Sequence, residues 1–317
     1  MTDLAITSGS SCYYLADEVY ELLESFMPYF IQASIINFAN KEIFTSYDSP
    51  VSDKDLYIFQ TFNSDPNKDL VELLLLIHTA KLSSPKRITA VLPIIYGSRQ
   101  DRKSKLRSPI TIKLVADLLK TAGADRIITF SLHNPASVSA FDIPIYNLST
   151  ASIFLPTLNE LNKKFNFIVV SPDVGGLGKA RYYAKMLNTD IAFADKRRPS
   201  INETEIIKFV GDIKGKNCLI IDDMIDTGKS LKNVVLELKK QGAKLIYVLA
   251  THLILSDNAV ELINELPIEK VFGTNSINYT YSPDKFEIFS VGKLLANVIS
   301  NLNLGFEPQE LAESIIS

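Results

Sequence analysis

The sequence predicts an α/β protein made of mainly parallel sheets flanked by helices, arranged as two domains. Three observations carry this. Short apolar runs of strand length alternate with stretches of helical spacing, the pattern of parallel strands joined by crossover helices. Several runs stop on charged or glycine-bearing loops, where α/β sheets collect ligands beyond the carboxyl ends of their strands. The pattern also repeats: TAGADRIITFS, from Thr121, is echoed by QGAKLIYVLAT, from Gln241, with His133 and His252 in matching places. The chain therefore reads as a duplicated unit with an insertion in the second copy. Its 317 residues suffice for two cores, expected at 1–149 and 150–317.

In chain order, the first helix is expected from about Tyr14 to Phe26. Ser34–Phe38 and Ile43–Tyr47 read as a hairpin around Asn40-Lys41-Glu42. Asp55–Thr61 is a short buried strand, Asp69–Leu82 a helix and Arg87–Ile95 another buried strand, stopped by Tyr96-Gly97-Ser98. A basic stretch follows, then a helix over Pro109–Thr121 capped by Ala122-Gly123-Ala124, and a strand over Ile127–Leu132 that ends at His133. In the second half, Phe167–Ser171 is a strand, Leu177–Met186 a basic helix and Ile191–Ala194 a strand that ends in the exposed run Asp195–Pro199. Cys218–Ile221 is a buried parallel strand, and an amphipathic helix starts at Leu231.

Composition narrows the function. Hydrophobic content of 46% and charged content of 22% describe an ordinary globular chain, and a formal charge of -3 gives no general attraction to nucleic acid or anionic membrane. Two cysteines, Cys12 and Cys218, exclude a disulfide framework and fit a reducing compartment. The opening stretch lacks a basic n-region and does not read as a signal peptide. The most apolar run, Leu70–Ile77, is broken by Glu72 and is too short to span a bilayer.

The chemistry concentrates in CLIIDDMIDTGKSL, Cys218 to Leu231. A strand, a polar loop and a helix start make an anion site, because free backbone N–H groups and the helix dipole point at the loop. The Gly-Lys-Ser ending suggests a Walker A loop, but the position five residues before Gly228 is Asp223, not glycine. Three carboxylates, Asp222, Asp223 and Asp226, suit a sugar phosphate better than a triphosphate. Carboxylates accept from a vicinal diol or hold a metal, while Thr227 to Ser230 bind the phosphate. An ordinary strand-to-helix turn with its acids in water is the plain alternative.

Four other stretches carry chemistry. Arg99-Gln100-Asp101-Arg102-Lys103 offers bidentate guanidinium contacts to phosphate and polar groups for a base or ribose; a solvated basic helix start is equally consistent. Ser171-Pro172-Asp173-Val174-Gly175-Gly176 places a carboxylate fit for Mg²⁺ beside glycines that allow close approach to a pyrophosphate, or is a plain tight turn. His133 alone reads as structural. Lys196-Arg197-Arg198 reads from sequence as an exposed basic loop, though mobile cations of this kind can close on a phosphate chain.

Together these motifs resemble the ribose-phosphate pyrophosphokinase family, also called phosphoribosyl pyrophosphate synthetases, from about Asn37 to near the C-terminus. The motifs are RQDRK at Arg99, PITIKLVADLL at Pro109, SPDVGG at Ser171, DKRRP at Asp195 and DDMIDTG at Asp222. The resemblance implies two phosphoribosyltransferase-like domains, a last helix (LLANVISNL) packed on the first domain, a cytoplasmic homo-oligomer such as a hexamer, and diphosphoryl transfer from MgATP to ribose 5-phosphate. It further implies Lys196 and Arg198 as catalytic cations, and Arg198, Asp222, Asp223, Asp226, Thr227, Gly228, Lys229 and Ser230 as the ribose 5-phosphate site. Phe38, Asn40, Lys41, Glu42, Arg99, Gln100 and Asp101 would bind ATP, and His133 and Asp173 Mg²⁺. Nucleic acid and membrane are not expected partners. The chain departs from the family pattern at FANKE (Phe38–Glu42) for FSDGE, at Ser131-Leu132-His133 for DLH, at Lys229-Ser230 within DTGGT, and at Ser52, where a basic residue of the regulatory region is usual. A non-catalytic regulatory homologue that binds active subunits is the alternative.

Overall fold

Each apolar run is long enough to be buried on both faces and is followed by a helix that can cover it, so the runs pair in parallel. The computed structural model describes residues 3–62, 64–197, 206–278 and 284–306, with 196, 197 and 206 described in backbone only. It divides into two compact units. The first holds residues up to 149, residues 276–278 and the stretch from 291; the second holds 150–275 and 279–290. The second unit is therefore not the continuous stretch 150–317.

The first unit contains β1 (Leu4–Ser8), α1 (Tyr13–Leu22), β2 (Tyr29–Phe30), β3 (Ala33–Asn37), β4 (Ile43–Tyr47), β5 (Asp55–Phe59), α2 (Pro66–Leu82), β6 (Arg87–Val91), α3 (Thr111–Ala122), β7 (Arg126–Phe130) and β8 (Ile145–Leu148). Its sheet has the order β2-β1-β5-β6-β7-β8, with all neighbours parallel. β3 and β4 form a separate antiparallel ribbon, tied to α2 where the Tyr47 hydroxyl donates to the Leu76 carbonyl at 2.8 Å. The basic stretch after β6 is loop, and α3 begins only at Thr111, so no helix starts at Arg99. The last helix, α8 (Gly292–Leu304), packs on α1. A Cβ at Gly292 would stand 2.3 Å from Glu18 Oε1, so the Glu18 carboxylate would have to move aside.

One buried carboxylate ties this unit together. Asp55 is fully buried at the start of β5. It accepts from Arg87 on β6 through Nε at 2.8 Å and also through Nη2. It accepts further from the Tyr57 hydroxyl at 3.2 Å and from Asn303 Nδ2 on α8 at 3.1 Å. Arg126 of β7 approaches to 3.9 Å.

The second unit contains α4 (Ala151–Phe165), β9 (Phe167–Ser171), α5 (Leu177–Leu187), β10 (Ile191–Arg197), β11 (Ile206–Val210), β12 (Asn217–Ile225), α6 (Lys229–Lys240), β13 (Ile246–Leu253), α7 (Ala259–Glu265), β14 (Lys270–Thr274) and β15 (Phe286–Phe289). Its sheet has the order β11-β10-β9-β12-β13-β14-β15, parallel except that β11 pairs antiparallel with β10. β12 alternates between two cores. Cys218 and Ile220 pack with Val234, Val235 and Leu238 of α6, while Leu219 and Ile221 pack with Phe154 of α4 and Ala180 and Tyr183 of α5.

The strand orders expose the duplication and correct its register. Position by position, β2-β1-β5-β6-β7-β8 matches β10-β9-β12-β13-β14-β15, leaving β11 as the extra edge strand. β13 thus answers to β6, not to β7, and the echo between TAGADRIITFS and QGAKLIYVLAT joins strands one place apart. His252 is not the counterpart of His133.

Because Asp55 is buried with cations from two neighbouring strands and a donor from α8, Asp55→Ala would leave Arg87 without its carboxylate. The expected loss is about 3–5 kcal/mol of stability, read as a fall in the urea midpoint. A midpoint within error of the parent would refute this role.

Candidate functional site

In the second unit, the carboxyl ends of β9 and β12 lie side by side. β12 does not stop at Ile221: pairing of Asp222 with Ala250, Met224 with His252 and Ile225 with Leu253 carries it through both aspartates. The acids are therefore strand residues on opposite faces of the sheet. Asp222 shares the face of Cys218 and Ile220, and Asp223 shares the face of Leu219 and Ile221, beneath α5. Both are half-buried, and Asp222 Oδ1 accepts from the Asp223 N–H at 2.8 Å. Asp226 and Thr227 follow, half-buried, and Gly228 turns the chain into α6 at φ 72°. A side chain at Gly228 would be strained in that conformation and would crowd Leu262 at 3.3 Å. Lys229 and Ser230 are already the first residues of α6 and are exposed. No side chain caps α6, so its first turn presents backbone donors to the loop.

The neighbouring loop after β9 is shaped around Asp173. The Ser171 hydroxyl donates to the Asp173 carbonyl at 2.7 Å, and Asp173 Oδ1 accepts from the Gly176 N–H at 2.9 Å. A Cβ at Gly176 would stand 3.0 Å from Ser171 Oγ, which explains the glycine at that place. Asp173 is exposed, with its second carboxylate oxygen outside this turn.

β10 runs to Arg197, so Asp195 and Lys196 belong to a strand arm paired with Lys208 and Ile207 of β11, rather than to an exposed loop. The Lys196 side chain and the whole of Arg198 lie outside the described residues.

In the first unit, the loops after the adjacent strands β6 and β7 meet. Asp101 Oδ2 accepts from Asn134 Nδ2 at 2.7 Å, which brings the Arg99–Asp101 segment next to His133. Gln100 Oε1 accepts from the Thr111 hydroxyl at 2.6 Å, and Gly97 turns the chain at φ 73°. Arg99, Gln100 and His133 are exposed. Ser131, in the place of the expected acid, adopts a left-handed φ of 41°.

The β3–β4 tip holds Phe38, Asn40, Lys41 and Glu42. Phe38 is 50% exposed, and Lys41 takes φ 70°, a conformation that suits the family's glycine. Asn40 Oδ1 accepts from the Glu42 N–H at 3.1 Å, so the turn engages the amide oxygen. Among the described residues, no three His, Cys, Asp or Glu side chains form a ready-made metal cage. Mg²⁺ needs none: it binds through one or two carboxylates plus substrate phosphates and keeps its waters. An exposed Asp173 fits that donor requirement.

Sequence reasoning passed over Lys179. It stands in the first turn of α5, and its Nζ is buried with no hydrogen-bond partner among the described residues. Burial pushes its amine pKa down, while the charges of Asp223 and then Asp222 push it up. The signal in the sequence was a cation at the wrong end of the helix dipole.

An acid pair, a glycine turn and an uncapped helix at the carboxyl edge of a parallel sheet place the second unit in the phosphoribosyltransferase-like class of folds. The comparisons make this specific. Residues 4–123 match the N-terminal domain of ribose phosphate pyrophosphokinase, and residues 189–305 match the phosphoribosyl synthetase-associated domain. The ribose-phosphate pyrophosphokinase of Chlorobaculum tepidum is 40% identical over 99% of this chain and 96% of its own. That of Mycoplasma genitalium is 42% identical over 83% of this chain and 81% of its own. The crystal structure of phosphoribosylpyrophosphate synthetase from Mycobacterium smegmatis superposes with a TM-score of 0.90 at 35% identity, covering 96% of this chain and 99% of that one. The chain belongs to the ribose-phosphate pyrophosphokinase family.

Burial, together with the charge of Asp223, holds the Asp222 carboxyl well above the usual carboxylate range. A pKa raised in the folded state destabilises the fold as pH rises past the unfolded value of about 3.8. Asp222→Asn should therefore raise the Tm at pH 8 by about 3 °C and change it little at pH 4. Thermal melts at both pH values check this; an equal gain at each would show that charge is not the cause.

Proposed function

We propose that the chain is a ribose-phosphate diphosphokinase. The C1 hydroxyl of ribose 5-phosphate attacks the β-phosphorus of MgATP and loses its proton. The new O–P bond forms as the bond from the β-phosphorus to the α,β-bridging oxygen breaks, and AMP leaves with that oxygen. The products are phosphoribosyl pyrophosphate and AMP. The observation that carries this reading is the strand–acid pair–glycine turn–helix unit at Asp222 to Ser230 in a chain of this family.

Catalysis of diphosphoryl transfer is mainly positioning and charge stabilisation. Asp222 and Asp223 accept from the ribose hydroxyls. Asp226, Thr227, Gly228, Lys229, Ser230 and the α6 N-terminus take the 5-phosphate. Phe38, Asn40, Lys41 and Glu42 form the base pocket, and Arg99, Gln100 and Asp101 hold the rest of the nucleotide. Lys196 and Arg198 neutralise the transferring group. Asp173 in the second unit and His133 in the first would each hold Mg²⁺, which would supply charge neutralisation at the phosphates when bound. Both cysteines are buried and free, which fits a reducing cytoplasm. No helix among the described residues is long and apolar enough to cross a membrane.

The β3–β4 ribbon supports a homo-oligomer, a hexamer in this reading. Ile36 and Phe44 are directly paired across the strands and 46% and 49% exposed, and Phe38 extends the same apolar surface. A second copy of the chain would cover it.

The test is AMP release from MgATP with and without ribose 5-phosphate. Sugar-dependent AMP is expected. No AMP from folded protein would overturn the reading in favour of a regulatory homologue, and a stable complex with a separate active synthetase would then be sought. For the assembly, light scattering should show an oligomer for the parent chain and a smaller species for Phe44→Ser. A monomeric parent would exclude it.

A further inference from the structure

Lys179 is costly where it stands. Its Nζ is buried without a hydrogen-bond partner among the described residues, and buried polar atoms are rarely left so. It lies in the first turn of α5, where the helix dipole disfavours a cation. Nothing in the packing of α5 calls for an ammonium: its neighbours Ala180, Tyr183 and Ala184 belong to an apolar cluster with Phe154, Leu219 and Ile221. What Lys179 does face is the acid pair. α5 covers the side of β12 that bears Asp223, and Lys179 interacts electrostatically with Asp223 first and Asp222 second.

We propose that Lys179 is a positioning residue for the sugar. Its ammonium faces Asp223 and, more weakly, Asp222, and keeps the pair in place as acceptors for the ribose hydroxyls. The alternation of β12 sends the two acids to opposite faces, so they need a fixed countercharge to serve one ligand together. Lys179 supplies it from α5. Its unmade hydrogen bonds are capacity held for the occupied site. This inference rests on the reading of Asp222–Ser230 as a ribose 5-phosphate site.

The experiment compares the full chain with Lys179→Met and Lys179→Arg. Steady-state kinetics are run with each substrate varied, and ribose 5-phosphate binding is measured by calorimetry without nucleotide. Lys179→Met should raise both the KM and the Kd for ribose 5-phosphate about tenfold or more, because losing the partner of a buried charged acceptor costs at least that much. The KM for ATP should stay within about twofold and kcat within about threefold, a margin of under 1 kcal/mol. Lys179→Arg should recover most of the sugar affinity. A folded Met variant with parental KM and Kd for the sugar would overturn the proposal. So would an Arg variant as impaired as Met, or parallel rises in both KM values. A parent that binds ribose 5-phosphate but releases no AMP would overturn the diphosphokinase reading alone, leaving the calorimetric arm to decide Lys179. A parent that binds no sugar overturns both.

Discussion

Every feature of the site depends on the parallel strand buried on both faces. Both large sheets are parallel throughout except at the β10–β11 edge. A strand covered by helices above and below can offer no polar side chain along its length without a large desolvation cost. Charge is therefore kept to the ends of strands: Asp55, Arg87 and Arg126 at the starts of β5, β6 and β7, and Asp222 and Asp223 towards the end of β12. β12 shows the transition within nine residues, from fully buried Cys218–Ile221 to half-buried Asp222 and Asp223. The glycine turn and the uncapped α6 follow because the chain must reverse there.

That placement stores free energy in the binding site. Asp222 is half-buried beside a second carboxylate, and Lys179 Nζ is buried with no hydrogen-bond partner among the described residues. Each would be better solvated in the unfolded chain. They persist because the surrounding sheet and helices are over-determined by apolar packing, as is usual where function and stability conflict. The same logic separates this cluster from Asp55 in the first unit. Asp55 is buried too, but its oxygens are met by Arg87, Tyr57 and Asn303, and it acts as a clamp between strands and α8.

Much of this was legible in the sequence, for stated reasons. Phe167–Ser171 was read to the residue, because an uninterrupted apolar run is bounded by turn residues. In the β3–β4 hairpin the sequence reading gives β4 to the residue and sets β3 one residue late at both ends. β1 was missed: Leu4–Ser8 ends in Thr7 and Ser8, which look like a polar loop until the structure buries them. α4 was missed with Pro156 inside its helical pattern. β10 and β12 outran their apolar runs because tertiary pairing with β11 and β13 outweighs local polarity. The repeat was sensed but misregistered, since similar strands recur within each unit. Lys179 lay in a helix read only as basic, and no local pattern marks a lysine whose amine is buried.

The duplication itself argues for which half binds the sugar phosphate. By strand order, the β5–α2 loop is the counterpart of the β12–α6 loop, and the β1–α1 loop is the counterpart of the β9–α5 loop. In the first unit these positions are closed by their own side chains. Glu72, fully buried, accepts from the Ser10 N–H at 2.6 Å, from the Ser10 hydroxyl at 2.8 Å and from Gln60 Nε2 at 2.8 Å. Gly9 packs so tightly here that a Cβ would meet Gln60 and Glu72 at 2.6 Å. α2 is capped by Asp65, which accepts from the Lys68 N–H at 3.1 Å, with Pro66 at its first turn. In the second unit α6, the counterpart of α2, has no side-chain cap, and Lys179 and the acid pair stand where the first unit has a closed network. Two copies of one topology have thus resolved the same orphan donors in different ways. At these two loops the first copy satisfies its donors with its own side chains. The second leaves α6 without a side-chain cap.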